Sequence, residues 1–567
     1  MDAVVEAGRN LARRPWLAAG CVGLLTFFVF LPAVACDFVN WDDNSYVYAN
    51  PVVLRGLSAE GVAHAFTDSF VGHWAPLTIL SYQLDASLFG VRPWGFHLTN
   101  VLVHALSTGL LFVALLRMTA ASGRSAAATL LFAIHPLRVE SVAWIAERKD
   151  VLSVFFLVLA LLAYEWYCRR PGIGRHVAVV AAMLGGLLCK ATLVTLPVLL
   201  LLLDDWPLGR IAATNAGSGG PAGGSPWPPR TARELLLEKL PLAALSLLFA
   251  ATTLVTQSRS IDGGASLPTV IARIPQAVCA VNWYAWKTLW PTGLSAFHRH
   301  PADSLSAAWL AANAAILLAA TAAVILLAST RPYLAWGGGW YLVSLLPVIG
   351  LVQVGSQSLA DRNAYIPHIG LMVAIVWGVA DAARRFGLRA WLLPAALAAV
   401  SVALVAVDRR LIATWKDSES LWNRALALDP GSDLAHNKLG TAFYEQGDLP
   451  RAIDSFRRSL AIRASERSHT FLGLALADCG RLPEAIGHYE AAIALDPDSA
   501  EAHNNLGIAL ARLGRLRESV PHFERACAID PRDPLLRANL ARARGELAGS
   551  PAPEPAGAAP KPAGADQ

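Results

Sequence analysis

Charge is scarce in this chain. Of 567 residues only 16% are Asp, Glu, Lys or Arg, while 55% are hydrophobic and the mean hydropathy is +0.43. That balance is too apolar for a soluble multidomain protein. A strong excess of one sign is missing too: the net charge is +5, and Arg and Lys gather in short loops instead of a stripe interleaved with aromatics. Nucleic acid is therefore a poor partner. Cys21, Cys36, Cys168, Cys189, Cys279, Cys479 and Cys527 form no CxxC pair and share no spacing, which disfavours a disulfide framework or a cysteine metal site and leaves most of them as apolar filler. The charge that exists is sparse before Asp408 and dense from Lys416 to Glu546. Two regions in two solvents follow: a polytopic membrane domain over 1-411 and a soluble domain over 412-548, ahead of a disordered Pro/Ala-rich tail over 549-567.

Hydrophobic runs long enough to span, or nearly so, lie around 16-36, 98-116, 125-142, 151-167, 176-189, 191-205, 238-256, 305-328, 336-353, 366-382 and 390-407. About eleven crossings are expected. The first run could be a signal peptide ending at Ala33-Val34-Ala35, or a lipoprotein-like site at Cys36, but its length of about 20 residues suits an uncleaved span better. Arg9/Arg13/Arg14, Arg117/Arg124, Arg169/Arg170/Arg175, Arg210/Arg230, Arg331 and Arg384/Arg385/Arg389 mark the cytoplasmic loops. The segment 270-290 mixes Arg273, Gln276, Asn282 and Lys287 with four aromatics, which fits an interfacial or re-entrant helix. Leaving it uncrossed puts the C-terminal domain outside. The Gly/Pro/Ser-rich stretch 212-230 is a flexible cytoplasmic linker.

Three stretches beginning at Leu439, Leu472 and Leu506 align without gaps. Gly440, Gly473 and Gly507 recur about 34 residues apart, as do Gly447, Gly480 and Gly514. Small residues mark helix crossings, glycines the turns, Ala452 and Ala485 the packing of the second helix, and Pro497 and Pro531 its end. These match the tetratricopeptide repeat, whose arrays bind peptide segments in a groove or act as stalks. Asn437, Lys438, Asn504 and Asn505 lie on the first helices and are candidate groove contacts.

Polar residues collect beside the outer ends of the apolar runs. Asp42 and Asp43 stand a few residues beyond the first run next to Trp41, either as solvated loop acids or as a pair whose repulsion raises one pKa and leaves a proton acceptor. His73 and His97 accompany Trp74 and Arg92 farther along. His135, Arg138, Glu140, Glu147, Arg148, Lys149 and Asp150 crowd one turn between apolar helices, which is expensive unless they pair internally or face a wet cavity. Arg148 and Lys149 at its mouth suit an anionic phosphate. Lys190 in an apolar stretch needs an anion, His298 lies in a later outer loop, and Asp361 with Arg362 reads equally as a site or a structural ion pair.

The stretches WDDNSYV (Trp41 to Val47), HPLRVESVAWIAERKD (His135 to Asp150), LLDDWPLGR (Leu202 to Arg210) and ADRNAYIP (Ala360 to Pro367), followed by the repeats, resemble the transmembrane and tetratricopeptide repeat-containing family. The resemblance implies an all-α chain: a transmembrane helix bundle like that of the glycosyltransferase C superfamily, then a tetratricopeptide α-solenoid. It further implies protein O-mannosyltransferase chemistry, in which a polyprenyl-phosphate sugar is transferred on the outer face of a cell (inner) membrane. The family's acidic pair falls on Asp42 and Asp43, one of them the general base. Arg148 and Lys149, then Arg138, Lys190 and Arg362, would stabilise the leaving phosphate. No cofactor is called for, although a divalent metal stays open. The linker and the short array of repeats look more like bacterial relatives, which leaves protein, lipid and envelope glycan open as acceptors. The competing expectations are a non-catalytic scaffold that recruits outer partners through the repeats, and a transporter, which the one-sided placement of the polar residues disfavours.

Overall fold

The computed structural model describes residues 14–211, 227–256, 267–299, 306–351 and 357–549. It is almost wholly helical, with one antiparallel ladder of His298–Arg299 against Gln357–Leu359. The expected linker falls outside the described residues except for 227–230, and the expected tail except for Gly549. Two units emerge, Met1–Leu421 and Trp422–Gln567. The division lies beyond the expected 411/412 because the last apolar helix runs on to Thr414 and the next residues join the first outer loop. There the Asp37 N–H donates to the Lys416 carbonyl (2.8 Å) and the Asn40 N–H to the Ser418 hydroxyl (2.9 Å).

In the first unit, six helices among the described residues are long and apolar enough to cross a bilayer: Pro15–Ala35, Pro93–Thr119, Ile145–Arg169, Ala232–Thr256, Ala307–Leu327 and Leu392–Thr414. Ser122–Ala133 with Pro136–Ala143, bent by 56°, makes a seventh if the two are one span. Of the eleven expected runs, six or seven thus coincide with a helix of that length and composition among the described residues. The runs at 176-189, 191-205 and 336-353 are the short helices Ile173–Leu187, Leu196–Asp205 and Pro332–Leu345, and that at 366-382 is Pro367–Arg385, which carries Asp381, Arg384 and Arg385. Leu267–Leu289, expected to stay uncrossed, is not among the six.

Small residues set the packing of the first helix. A Cβ on Gly109 would lie 2.9 Å from the Ala19 carbonyl, and one on Gly23 3.1 Å from the Ala105 carbonyl. Such close crossings supply the van der Waals contact that holds helices together where lipid removes the hydrophobic drive. Cys36, just beyond, is buried with its thiol toward the Ile412 carbonyl.

A closed charge cluster occupies one end of the bundle. Asp204 receives Arg210 at 2.8 Å, Lys239 at 2.5 Å and the Tyr164 hydroxyl at 2.5 Å, while Arg210 also meets Glu238 at 3.0 Å. Each ion has an opposite partner, the condition under which charge survives in an apolar interior. Helices Arg148–Arg169 and Leu196–Asp205 bring Tyr164 and Asp204 here near their C-terminal ends. Their N-terminal ends, preceded by Glu147 and the Lys190 turn, lie about 15 to 30 Å away along the helix axes.

The second unit is an array of helix pairs: Asp433–Glu445 with Leu449–Ile462, Glu466–Asp478 with Leu482–Leu495, and Ala500–Arg512 with Leu516–Ile529, followed by Pro534–Leu547. Ser432, Ser465 and Ser499 cap the first helices. Gly447, Gly480 and Gly514 turn each pair at φ +79°, +77° and +76°, the left-handed region glycine enters without strain. Added Cβ atoms on Gly440, Gly473 and Gly507 would meet the rings of Phe456, Tyr489 and Phe523 at 2.6, 2.7 and 2.8 Å. Of the four expected groove residues, Asn437 donates to Ser468 (3.0 Å) and Asn504 accepts from Asn539 (2.9 Å), both buried. Lys438 and Asn505 are half-buried.

Replacing Gly473 with Val should force Tyr489 from its seat and cost about 1–3 kcal/mol. Hydrogen exchange on the full chain should speed up across Glu466–Leu495 and stay unchanged in the membrane helices. Equal protection in Gly473→Val and wild type would contradict the close crossing.

Candidate functional site

The polar turn is built by a helix that stops. Ser122–Ala133 ends before His135-Pro136, where proline removes an N–H and restricts its predecessor. The chain bends into Pro136–Ala143, extends at Trp144 and re-enters a helix at Arg148. Every residue from His135 to Asp150 is buried.

Beside this turn lies a cavity of about 580 Å³. Its polar wall carries His73, Glu147, Lys149, Lys190, Gln357, Arg362 and Asn363; its apolar wall includes Ala250 and Leu254 of Ala232–Thr256 and Leu346, Pro347 and Val348 after Pro332–Leu345. Three cations meet three acids there. Glu147 receives Lys149 at 3.0 Å, Arg362 at 3.1 Å and Lys190 at 3.3 Å. Lys190 also reaches Asp150 (2.7 Å), and the Arg362 backbone N–H and guanidinium both donate to Glu140. Burial first, and then Lys149 and Lys190, push the His73 imidazole down to about 3, so it is neutral. Among the described residues, no group of three or more His, Cys, Asp or Glu side chains is placed to hold a metal ion.

The first outer loop is fastened to the turn. Asp43 accepts the N–H of Val39 at 3.0 Å on one oxygen and that of Ala146 at 2.9 Å on the other, and the Trp144 indole donates to the Trp41 carbonyl at 2.7 Å. The loop acids and the Glu140 to Asp150 segment therefore share one face. Burial pushes the Asp43 carboxyl up to about 8, against the two N–H donors, which favour the anion. Asp42 differs in kind: it is half-buried and sits at φ +66°, a conformation few non-glycine residues adopt and one found repeatedly at active sites. Asp42 is not part of the cavity wall.

Of the five cations expected to meet a phosphate, Lys149, Lys190 and Arg362 line the cavity, whereas Arg148 and Arg138 do not. Arg148 is enclosed: it meets Asp85 at 2.5 Å, Asn100 at 2.7 Å and the Phe96 carbonyl at 2.7 Å, with Tyr82 and Phe96 stacked on the guanidinium. Arg138 is buried between Phe132 and Tyr365 and donates to the Ala364 carbonyl. His135 bonds the Thr288 carbonyl, and His97 reaches the Asp37 carbonyl at 3.4 Å. Asp361 joins His298 (3.1 Å) to the Ser295 N–H (3.1 Å). Burial pulls the His298 imidazole down, but Asp361 outweighs it and holds the ring above its ordinary value. The sequence reading missed Asp85, which lies on the helix Pro76–Phe89. It also missed Asp408, buried in the last span; as a lone acid in an apolar run, that residue did carry a signal.

Removing one partner of the buried Arg148/Asp85 pair should cost about 3–5 kcal/mol, because the other charge is left bare. Arg148→Met should lose most folded protein in detergent, and adding Asp85→Leu should restore much of it. Normal yield of Arg148→Met alone would contradict the enclosed pair.

Models of the tetratricopeptide repeat match residues 415–467, 473–514 and 500–533. The Drosophila melanogaster protein O-mannosyl-transferases Tmtc1 and Tmtc2 are 32% and 33% identical, over 34% and 32% of this chain and 23% and 21% of their own lengths. The Mus musculus protein O-mannosyl-transferase TMTC4 is 24% identical over 78% of this chain and 66% of its own length. The matched stretches thus span about a fifth to two thirds of these relatives. With its apolar helices, its polar turn and its repeats, this multi-pass membrane protein is similar to these protein O-mannosyl-transferases.

Proposed function

We propose that the chain is an inverting membrane glycosyltransferase that moves a sugar, mannose by analogy with its relatives' names, from a polyprenyl-phosphate donor to a Ser/Thr hydroxyl of a protein on the outer face of a cell membrane. One observation carries the reading: a cavity with Lys149, Lys190 and Arg362 on one wall and Ala250, Leu254, Leu346 and Val348 on another, which suits a phosphate attached to a lipid. Its place at the end of the bundle remote from Arg169, Arg170 and Arg210 is consistent with an outer site. The repeats would hold the acceptor.

Asp42 is the base we assign, and Asp43 the residue that positions it. The acceptor oxygen attacks the anomeric carbon as its proton passes to the Asp42 carboxylate. The bond from that carbon to the phosphate oxygen breaks with inversion, and its electron pair leaves on the lipid phosphate. Lys149, Lys190 and Arg362 stabilise the growing negative charge, and nothing in this step needs a metal in principle.

Asp42→Asn should lower sugar transfer in membranes by at least about a hundredfold with folding intact. Asp43→Asn should lose stability as well, since an amide cannot accept both N–H groups. Lys190→Met should weaken polyprenyl-phosphate binding about tenfold or more. Undiminished transfer in Asp42→Asn would remove the enzyme reading and leave the scaffold, whose crosslinked partners would persist in all three variants.

A further inference from the structure

Glu147 sits where a ligand anion would be expected. Its carboxylate takes Lys149 and Arg362 on one oxygen, at 3.0 and 3.1 Å, and Lys190 on the other, at 3.3 Å. One side chain thus gathers all three cations of the cavity wall, and it faces the cavity itself. The other acids are committed elsewhere: Asp150 touches Lys190 at 2.7 Å, and Glu140 holds the Arg362 backbone N–H at 2.7 Å as well as its guanidinium.

Lys149, Lys190 and Arg362 against Glu140, Glu147 and Asp150 make the empty cluster neutral. An arriving phosphodiester adds a fourth negative charge to three cations. Within a few ångström, in a medium less polar than water, that repulsion opposes binding unless a carboxylate withdraws. Asp150 and Glu140 each meet one of these cations, whereas Glu147 meets all three and lines the cavity.

We propose that Glu147 is a built-in stand-in for the donor phosphate, holding the three cations in phosphate-binding geometry while the cavity is empty and giving them up when the polyprenyl phosphate enters. This rests on the donor reading above and adds a residue that sets donor affinity. The displaced carboxylate competes with the bound lipid phosphate, so it weakens donor binding and helps expel the product after transfer. No bond is made or broken by Glu147.

The test uses the full chain in nanodiscs, with a long-chain polyprenyl monophosphate as probe and inorganic phosphate as a second probe. Glu147→Gln removes the competing charge while keeping the shape, and should bind the polyprenyl phosphate at least about tenfold tighter than wild type. Glu147→Asp keeps the charge and should bind as wild type does. Because Glu147→Gln leaves the cations under-neutralised, its Tm without ligand should fall, and saturating probe should raise it by more than it raises wild type; a purely structural residue would show the fall without the larger rescue. The same gain with inorganic phosphate would locate the effect in the headgroup, as expected. Binding by Glu147→Gln that equals or falls below a measurable wild-type affinity would overturn the stand-in and leave the donor reading intact. No binding of the polyprenyl phosphate by wild type would remove both.

Discussion

One carboxylate joins the two segments on which the site depends. Asp43 accepts backbone N–H groups from Val39 and from Ala146, the latter 103 residues away. A buried carboxyl group with an N–H on each oxygen is held in position. Its neighbour Asp42 is then presented in a left-handed conformation that a free loop would relax. The turn gains an anchor for its extended residue Trp144, whose indole closes the same joint through the Trp41 carbonyl. Without this joint, the loop acids and the cation cluster would be separate features of one surface.

Three groups of charges in the membrane body form mutually paired sets. Asp204, Arg210, Glu238 and Lys239 form one set, and Arg148 with Asp85 a second. Glu140, Glu147 and Asp150 with Lys149, Lys190 and Arg362 form a third. The first two are filled by protein groups and serve packing; the third borders a cavity of about 580 Å³. That difference singles out the third set for chemistry, because a charged wall facing open volume can exchange a protein partner for a ligand. Arg148 and Lys149, adjacent in sequence, fall into different sets because successive helix residues point about 100° apart.

Composition, the charge break near Asp408 and the repeat period of about 34 residues suffice to read the architecture from the sequence. Glycines at 440, 473 and 507 mark the crossings because a side chain there has no room. The polar turn was legible for a similar reason: ions in an apolar run need an explanation. Span count was harder, since proline and lysine divide apolar runs such as 176-205 into short helices. The sorting of the site residues was out of reach, because it depends on contacts between distant segments. Arg148 meets Asp85 and Asn100, while Lys149 faces the cavity, and no spacing encodes that. Asn437 and Asn504 follow the same logic, their exposure decided by Ser468 and Asn539 in the next helices.

A photoreactive polyprenyl phosphate, crosslinked to the full chain in membranes and mapped by peptide mass spectrometry, would test most directly that the cation cluster receives the donor. Labels are expected on Lys190 to Thr195, on Ala250 to Leu254 and on Leu346 to Val348, and an excess of unlabelled polyprenyl phosphate should compete them away. Labelling confined to the Asp204, Arg210 and Lys239 end of the bundle would contradict a donor site at the polar turn.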